Sequence, residues 1–160
     1  MLKRIFLGLT LISLISGTSM PPVLAQSSSG VRFERSSLAI QTASKSHKFS
    51  IEIASTERQQ QHGLMFRRRM AADAGMLFIY PVPQVITMWM KNTYIPLDML
   101  FIGPDGTIVS IVQRAIPGSL ETISSTEPAI AVLEVNGGTV SRLKIKRGDR
   151  INYPAFQGTR

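Results

Sequence analysis

The sequence predicts a mainly β, or α+β, domain: a compact barrel-like curled sheet of about seven or eight short strands with one or two short helices. Three observations carry this expectation. Phe49, Ile51 and Ile53 alternate with Lys48, Ser50 and Glu52, the period-two pattern of a strand with one wet face. Short apolar runs recur between Gly, Pro and Asp turn signals, as in sheets that curl or close. Only the stretches after Ser55 and after Gly138 read as helix, and both are brief.

The chain opens with Lys3 and Arg4, then an apolar run from Ile5 to Ile15, then Val23-Leu24-Ala25 before Gln26. A basic start, a short apolar core and a small-residue exit predict a secretory signal peptide over residues 1–25, cut near Ala25. The apolar run falls short of the ~20 residues that span a bilayer, and Pro21 and Pro22 interrupt a longer helix. The expected destination is extracytoplasmic, periplasmic or secreted, with no stable membrane span after cleavage. Losing Lys3 and Arg4 lowers the formal charge from +8 to +6. The remaining cations are scattered apart from Arg67-Arg68-Arg69 and Lys144 to Arg150, and the aromatics sit in apolar runs. Nucleic-acid readers instead concentrate basic residues on one face with stacking aromatics, so no nucleic-acid partner is expected. With no cysteine, the chain has no disulfide, thiolate ligand or thiol nucleophile.

Residues 26–46 are rich in Ser, Thr, Gln and Ala and read as a flexible leader with a marginal strand near Val31–Phe33. A single β-rich domain is expected over 47–155, with 156–160 as a tail. Its first strand starts at His47. Ser55 caps a short helix that Gly63 ends. Ala71 to Gly75 forms a connecting turn. Met76 to Tyr80 reads as a strand buried on both faces, stopped by Pro81 and Pro83. Val85 to Met90 is the next strand, Asn92 to Pro96 a turn, and Leu97 to Ile102 another strand. Gly103-Pro104-Asp105-Gly106 is a hairpin signal returning through Thr107 to Gln113. A long polar loop, Ile116 to Glu127, precedes a strand at Ile130–Val135. A helical turn at Thr139–Leu143 and a last strand at Arg150–Tyr153 complete the order.

Within this order stand GLMFR (Gly63 to Arg67), GMLFIY (Gly75 to Tyr80), WMKNTYIPLDMLFI (Trp89 to Ile102), DGTIVSI (Asp105 to Ile111), AVLEVNGG (Ala131 to Gly138) and GDRI (Gly148 to Ile151). By these blocks the chain closely resembles the bacterial and archaeal family known as domain of unknown function 192, over about residues 48–153. The WMKNT…PLD block is the most specific. The resemblance implies a β-rich, barrel-like, often exported domain with no established biochemical activity. One departure is Met88, where the family usually has an aromatic residue; this speaks against a family-wide role for its sulfur.

Polar residues that interrupt or abut apolar sequence are the candidate site: Arg58, Lys91, Asn92, Thr93, Asp98 and Glu134. Burying such groups without partners costs roughly 2–7 kcal/mol, so they pair with one another or face a ligand. As a structural network they tie strand ends together. As a site they form a polar pocket for a small polar ligand or a cell-envelope component. The protein is thus expected to be an exported binding or accessory protein rather than an enzyme. One alternative is a hydrolase-like enzyme with Asp98 and Glu134 as paired carboxylates and Lys91 as electrostatic partner. A second is Cu(I) held by the Met88 and Met90 thioethers, a soft-ligand pair; core filling is the commoner use of methionine. His47 and His62 have no metal-ligand spacing, and no cofactor is expected. Trp89 is expected in the core, and Lys91-Asn92-Thr93 with Asp98 at a polar joint between two strands.

Overall fold

A computed structural model describes residues 30–156; the expected signal segment and the last four residues lie outside the described residues. Among the described residues the elements are β1 (Glu34–Gln41), β2 (Ser46–Ala54), α1 (Glu57–His62), β3 (Ala74–Gln84), β4 (Thr87–Met88), β5 (Leu97–Ile102), β6 (Ile108–Ala115), β7 (Ile123–Ser124), β8 (Ala129–Asn136), α2 (Thr139–Leu143), β9 (Arg150–Asn152) and a 3₁₀ turn at Pro154–Phe156. Seven strands form one sheet in the order β6-β5-β8-β3-β2-β1-β9, and β4 pairs with β7 separately. Only β2 and β3 are parallel, because the α1 crossover between them lets the chain run the same way twice. The two ends of the sheet approach one another. Thr107 bridges Arg150, Ile108 N–H donates to the Asp149 carbonyl at 2.8 Å, and Ile151 N–H donates to the Gly106 carbonyl at 2.8 Å. These bonds satisfy edges that would otherwise stay open, and the sheet curls into the expected barrel-like form.

The sheet carries apolar side chains on both faces. One cluster draws on all seven strands, with Ile40, Ile51, Leu77, Leu100, Leu133 and Ile151 among its members. It is the interior of the curl. The second lies on the other face of β3, β5 and β8 and is built around Met76, Phe78, Met90, Met99, Phe101 and Val132. The loops and α1 cover it. This is why all six residues of β5 are buried: alternation sends Leu97, Met99 and Phe101 to one cluster and Leu100 and Ile102 to the other. The strands β3 and β8 approach closely at Gly75, where a Cβ would sit 2.6 Å from the Glu134 carbonyl oxygen.

The structure corrects several expectations. Much of the expected flexible leader is strand β1, paired with β2 along its whole length and with β9 on its other side. Its Ser-rich composition hid an alternation that buries Leu38 and Ile40. Val31–Phe33 precede the strand. The α1 cap is Thr56, in a reciprocal capping box with Gln59, and not Ser55. β3 runs through Pro81 and Pro83. The prolines lie where the register with β8 shifts, between Ile79 and Gln84, so their missing N–H groups break no ladder bond. Only Thr87 and Met88 of the expected Val85–Met90 strand are extended in pairing, against β7, which arises within the expected loop Ile116–Glu127.

A side chain in a flexible leader contributes little to stability, whereas Ile40 is fully buried. Ile40→Ala should therefore cost about 2–5 kcal/mol, read as a lower urea midpoint.

Candidate functional site

Asp98 and Glu134 are both buried, but they do not meet. In the β5–β8 register Asp98 stands opposite Val135, and Met99 opposite Glu134. Cross-strand partners share a face and successive residues alternate. Asp98 therefore points to the side of Leu100 and Val135, and Glu134 to the side of Met99 and Val132. A paired-carboxylate hydrolase site needs both on one cleft, so that expectation is corrected here.

Asp98 is a structural acceptor. Its Oδ1 accepts from Arg114 N–H at 2.8 Å and Gly138 N–H at 3.0 Å, and its Oδ2 accepts from Val140 N–H at 2.8 Å. Helix α2 has no side-chain cap of its own, and its N-cap Gly138 is left-handed at φ 89. Asp98 satisfies the orphan N–H groups at that helix start from a neighbouring strand. It also holds the β6 end, where Arg114 has φ 52.

Glu134 lies at the floor of a cleft of about 230 Å³ on the other face. Helix α1 and the turn after it form one wall with Gln60, Gln61 and His62; Phe78 and Tyr80 of β3, Met88 of β4 and the Trp89–Thr93 turn form the rest. Glu134 is only 4% exposed, and no salt bridge reaches it among the described residues. No buried side-chain oxygen or nitrogen is sealed without a partner, so the carboxyl meets the space of the cleft. Burial pushes it up from 4.5 to about 8. The Tyr80 hydroxyl is also raised, first by burial and then by the neighbouring Glu134 charge; it donates to the Met88 sulfur at 3.7 Å.

The rim is the WMKNT turn. Trp89, expected in the core, is 48% exposed, and the Lys91 ammonium lies over its ring at 5.2 Å, a cation–π contact. Asn92 adopts φ 54, and its carbonyl accepts from Phe66 N–H at 2.8 Å, which fastens the turn to the loop after α1. Thr93 is buried, and its hydroxyl donates to the Lys91 carbonyl at 3.3 Å.

Of the six expected site residues, Lys91, Thr93 and Glu134 line this cleft. Asn92 shapes its rim. Asp98 lies on the opposite face, and exposed Arg58 is outside the lining, so a single pocket holding all six is corrected to a smaller one. His62, Tyr80 and Trp89 are additions; the exposed position of Trp89 had no sequence signal, since it sits within an apolar run. Met88 lines the cleft and its sulfur accepts from Tyr80, but Met90 is fully buried, so a Met88–Met90 copper pair has no open approach to its second sulfur. Among the described residues no group of three or more His, Asp or Glu could hold a metal ion.

Two expectations follow for stability. Asp98→Asn should cost about 1.5–3 kcal/mol, the worth of bonds to a charged acceptor. Lys91→Met should stay within ~0.5 kcal/mol, as for most surface changes, and thermal melts of the double variant should be additive because the two residues share no partner. Glu134 acts through pH. Its folded-state carboxyl holds a proton to a higher pH than the unfolded chain does. Its contribution is therefore fully present below the ordinary glutamate value and falls as pH rises to about 8. Glu134→Gln should flatten that part of the stability profile and be more stable than the parent at and above pH 8 in chemical denaturation.

The fold and cleft can be set beside known proteins. A crystal structure of a proposed transcription regulator from Sinorhizobium meliloti 1021 is 46% identical, covers 79% of this chain and 98% of its own, and superposes with a TM-score of 0.77. A protein of unknown function from Novosphingobium aromaticivorans DSM 12444 is 36% identical over 84% of this chain and 91% of its own, with a TM-score of 0.72. No curated protein matches in sequence. Residues 39–153, from within β1 to the residue after β9, match the profile of the family described as Uncharacterized ACR, and the chain belongs to this family, domain of unknown function 192.

Proposed function

We propose that this protein is an exported binding protein that takes a small polar ligand in the cleft between α1 and the Trp89–Thr93 turn. One observation carries the reading: Glu134, only 4% exposed, has no hydrogen bond or ion pair among the described residues and lines an open cleft. Structural carboxylates look like Asp98, with every oxygen occupied. A buried polar group facing a cleft with free acceptor capacity is the usual anatomy of a small-molecule site. The cleft volume equals that of roughly seven or eight waters, which sets the scale of the ligand. Export is supported by the basic, apolar and small-residue order of residues 1–25.

The regulator role proposed for the Sinorhizobium relative finds little support in this chain. Helices α1 and α2 have six and five residues, short for a groove-reading element. The arginine run is partly engaged: Arg67 pairs with Glu52, and Arg68 lies 5.8 Å over Tyr94.

Trp89 is the single tryptophan and sits at the rim, so its emission reports on the cleft alone. Titration with small polar compounds should give at least one that shifts Trp89 emission and raises the melting temperature, with both effects lost in Glu134→Gln. If every stabilising compound keeps its effect in that variant, the cleft is not the site. Fractionation of the native host with N-terminal sequencing should place the protein outside the cytoplasm beginning at Gln26; a cytoplasmic protein retaining residues 1–25 would remove the export claim.

A further inference from the structure

We infer that the ligand of this cleft carries a primary ammonium group that docks on Glu134, an inference that rests on the binding reading above. The hydrogen-bonding inventory of the walls selects the class. Most side-chain donors around the cleft are already committed. The Thr93 hydroxyl donates to the Lys91 carbonyl, the Tyr80 hydroxyl to the Met88 sulfur, the Gln60 amide to the Ile79 carbonyl at 2.7 Å, and the Gln61 amide to the Glu57 carboxylate at 3.1 Å. What the floor offers is the unoccupied Glu134 carboxyl. The aromatic residues Phe78, Tyr80 and Trp89 line the same cleft, aromatic rings attract cations, and the Trp89 ring already holds the Lys91 ammonium in this way. A donor-bearing monocation satisfies both, whereas an anion or a pure acceptor meets the carboxyl itself and finds uncommitted donors among the described residues only away from it, at Lys91, Trp89 and His62.

The charged and titratable groups around Glu134 are Glu57 and His62 on the α1 wall, Tyr80 on β3 and Lys91 at the rim. Lys91 makes no salt bridge with Glu134 and lies over Trp89 instead, so it leaves the floor unneutralised while repelling a second positive charge. This favours a single ammonium over a polyamine. In the free protein at neutral pH the Glu134 carboxyl holds its proton. Docking of R–NH₃⁺ ionises the carboxyl, and that proton leaves to solvent.

The test uses calorimetry and Trp89 emission with n-alkylammonium ions, the alcohols of equal length and the matching carboxylates. Alkylammonium should bind with release of about one proton below pH 8, seen as heat that depends on the buffer. Its affinity should rise about tenfold per pH unit up to about 8 and then level. Glu134→Gln should abolish that profile while folding normally. Alkylammonium affinity that is flat or falls with pH, or that survives in Glu134→Gln, overturns the inference. Alcohols or carboxylates binding in a Glu134-dependent way without the ammonium ions would overturn the ligand class and leave the cleft standing. Absence of binding by all three series at millimolar concentration overturns both readings.

Discussion

The carboxylate of Asp98 is the tie on which the arrangement of the barrel end depends. Three backbone N–H groups, from the end of β6 and the start of α2, converge on its two oxygens. Each would otherwise be an orphan in a place that water reaches poorly, and each such group costs about 1–3 kcal/mol when left unmade. The Gly137 N–H donates to the Pro96 carbonyl at 2.8 Å, so the same tie brings the chain just before β5 against the turn after β8. With those ends fixed, β5 and β8 pair in one register, and that register decides the face of every residue on them.

The consequence for Glu134 is direct. One residue of offset separates it from the face that Asp98 serves. The neighbours it has instead are Met76 and Met99, both fully buried, and neither brings a donor. A carboxyl so placed stays neutral near pH 7 because charging it there costs more than holding the proton. The same sheet thus carries two buried acids in opposite states of satisfaction, set by which face each occupies.

Much of this was legible in the residues. The Leu97–Ile102 strand and the Thr139–Leu143 helix fall where the pattern puts them, because each is bounded by Pro or Gly at one end at least. Glu134 and Lys91 also stood out, as charges interrupting apolar runs. The face of Asp98 relative to Glu134 did not. Both β5 and β8 are buried on both sides, so alternation fixes parity within a strand but gives no sign to distinguish one face from the other. Strand β1 was hidden for the opposite reason: only Leu38 and Ile40 of its eight residues are buried, and Glu34, Arg35, Ser36, Ser37 and Gln41 among the rest imitate a polar linker. Trp89 misled because hydrophobicity is a one-way guide to burial.

The stability and binding properties of the cleft are two readings of one free energy. In the free protein the desolvated Glu134 carboxyl withholds stability that Gln or an apolar residue at that position would return, as replacing unpaired buried charge often does. A ligand that binds only the folded chain stabilises it by mass action, and one that supplies the missing positive partner recovers the penalty at the same atom that incurs it. The cost is therefore greatest where the carboxyl would ionise alone, and the gain from a cation is greatest there too. Asp98 gives no such opening, because its three N–H partners belong to the fold itself. The unsatisfied acid marks the face of the sheet where this protein has free energy left to exchange with something outside it.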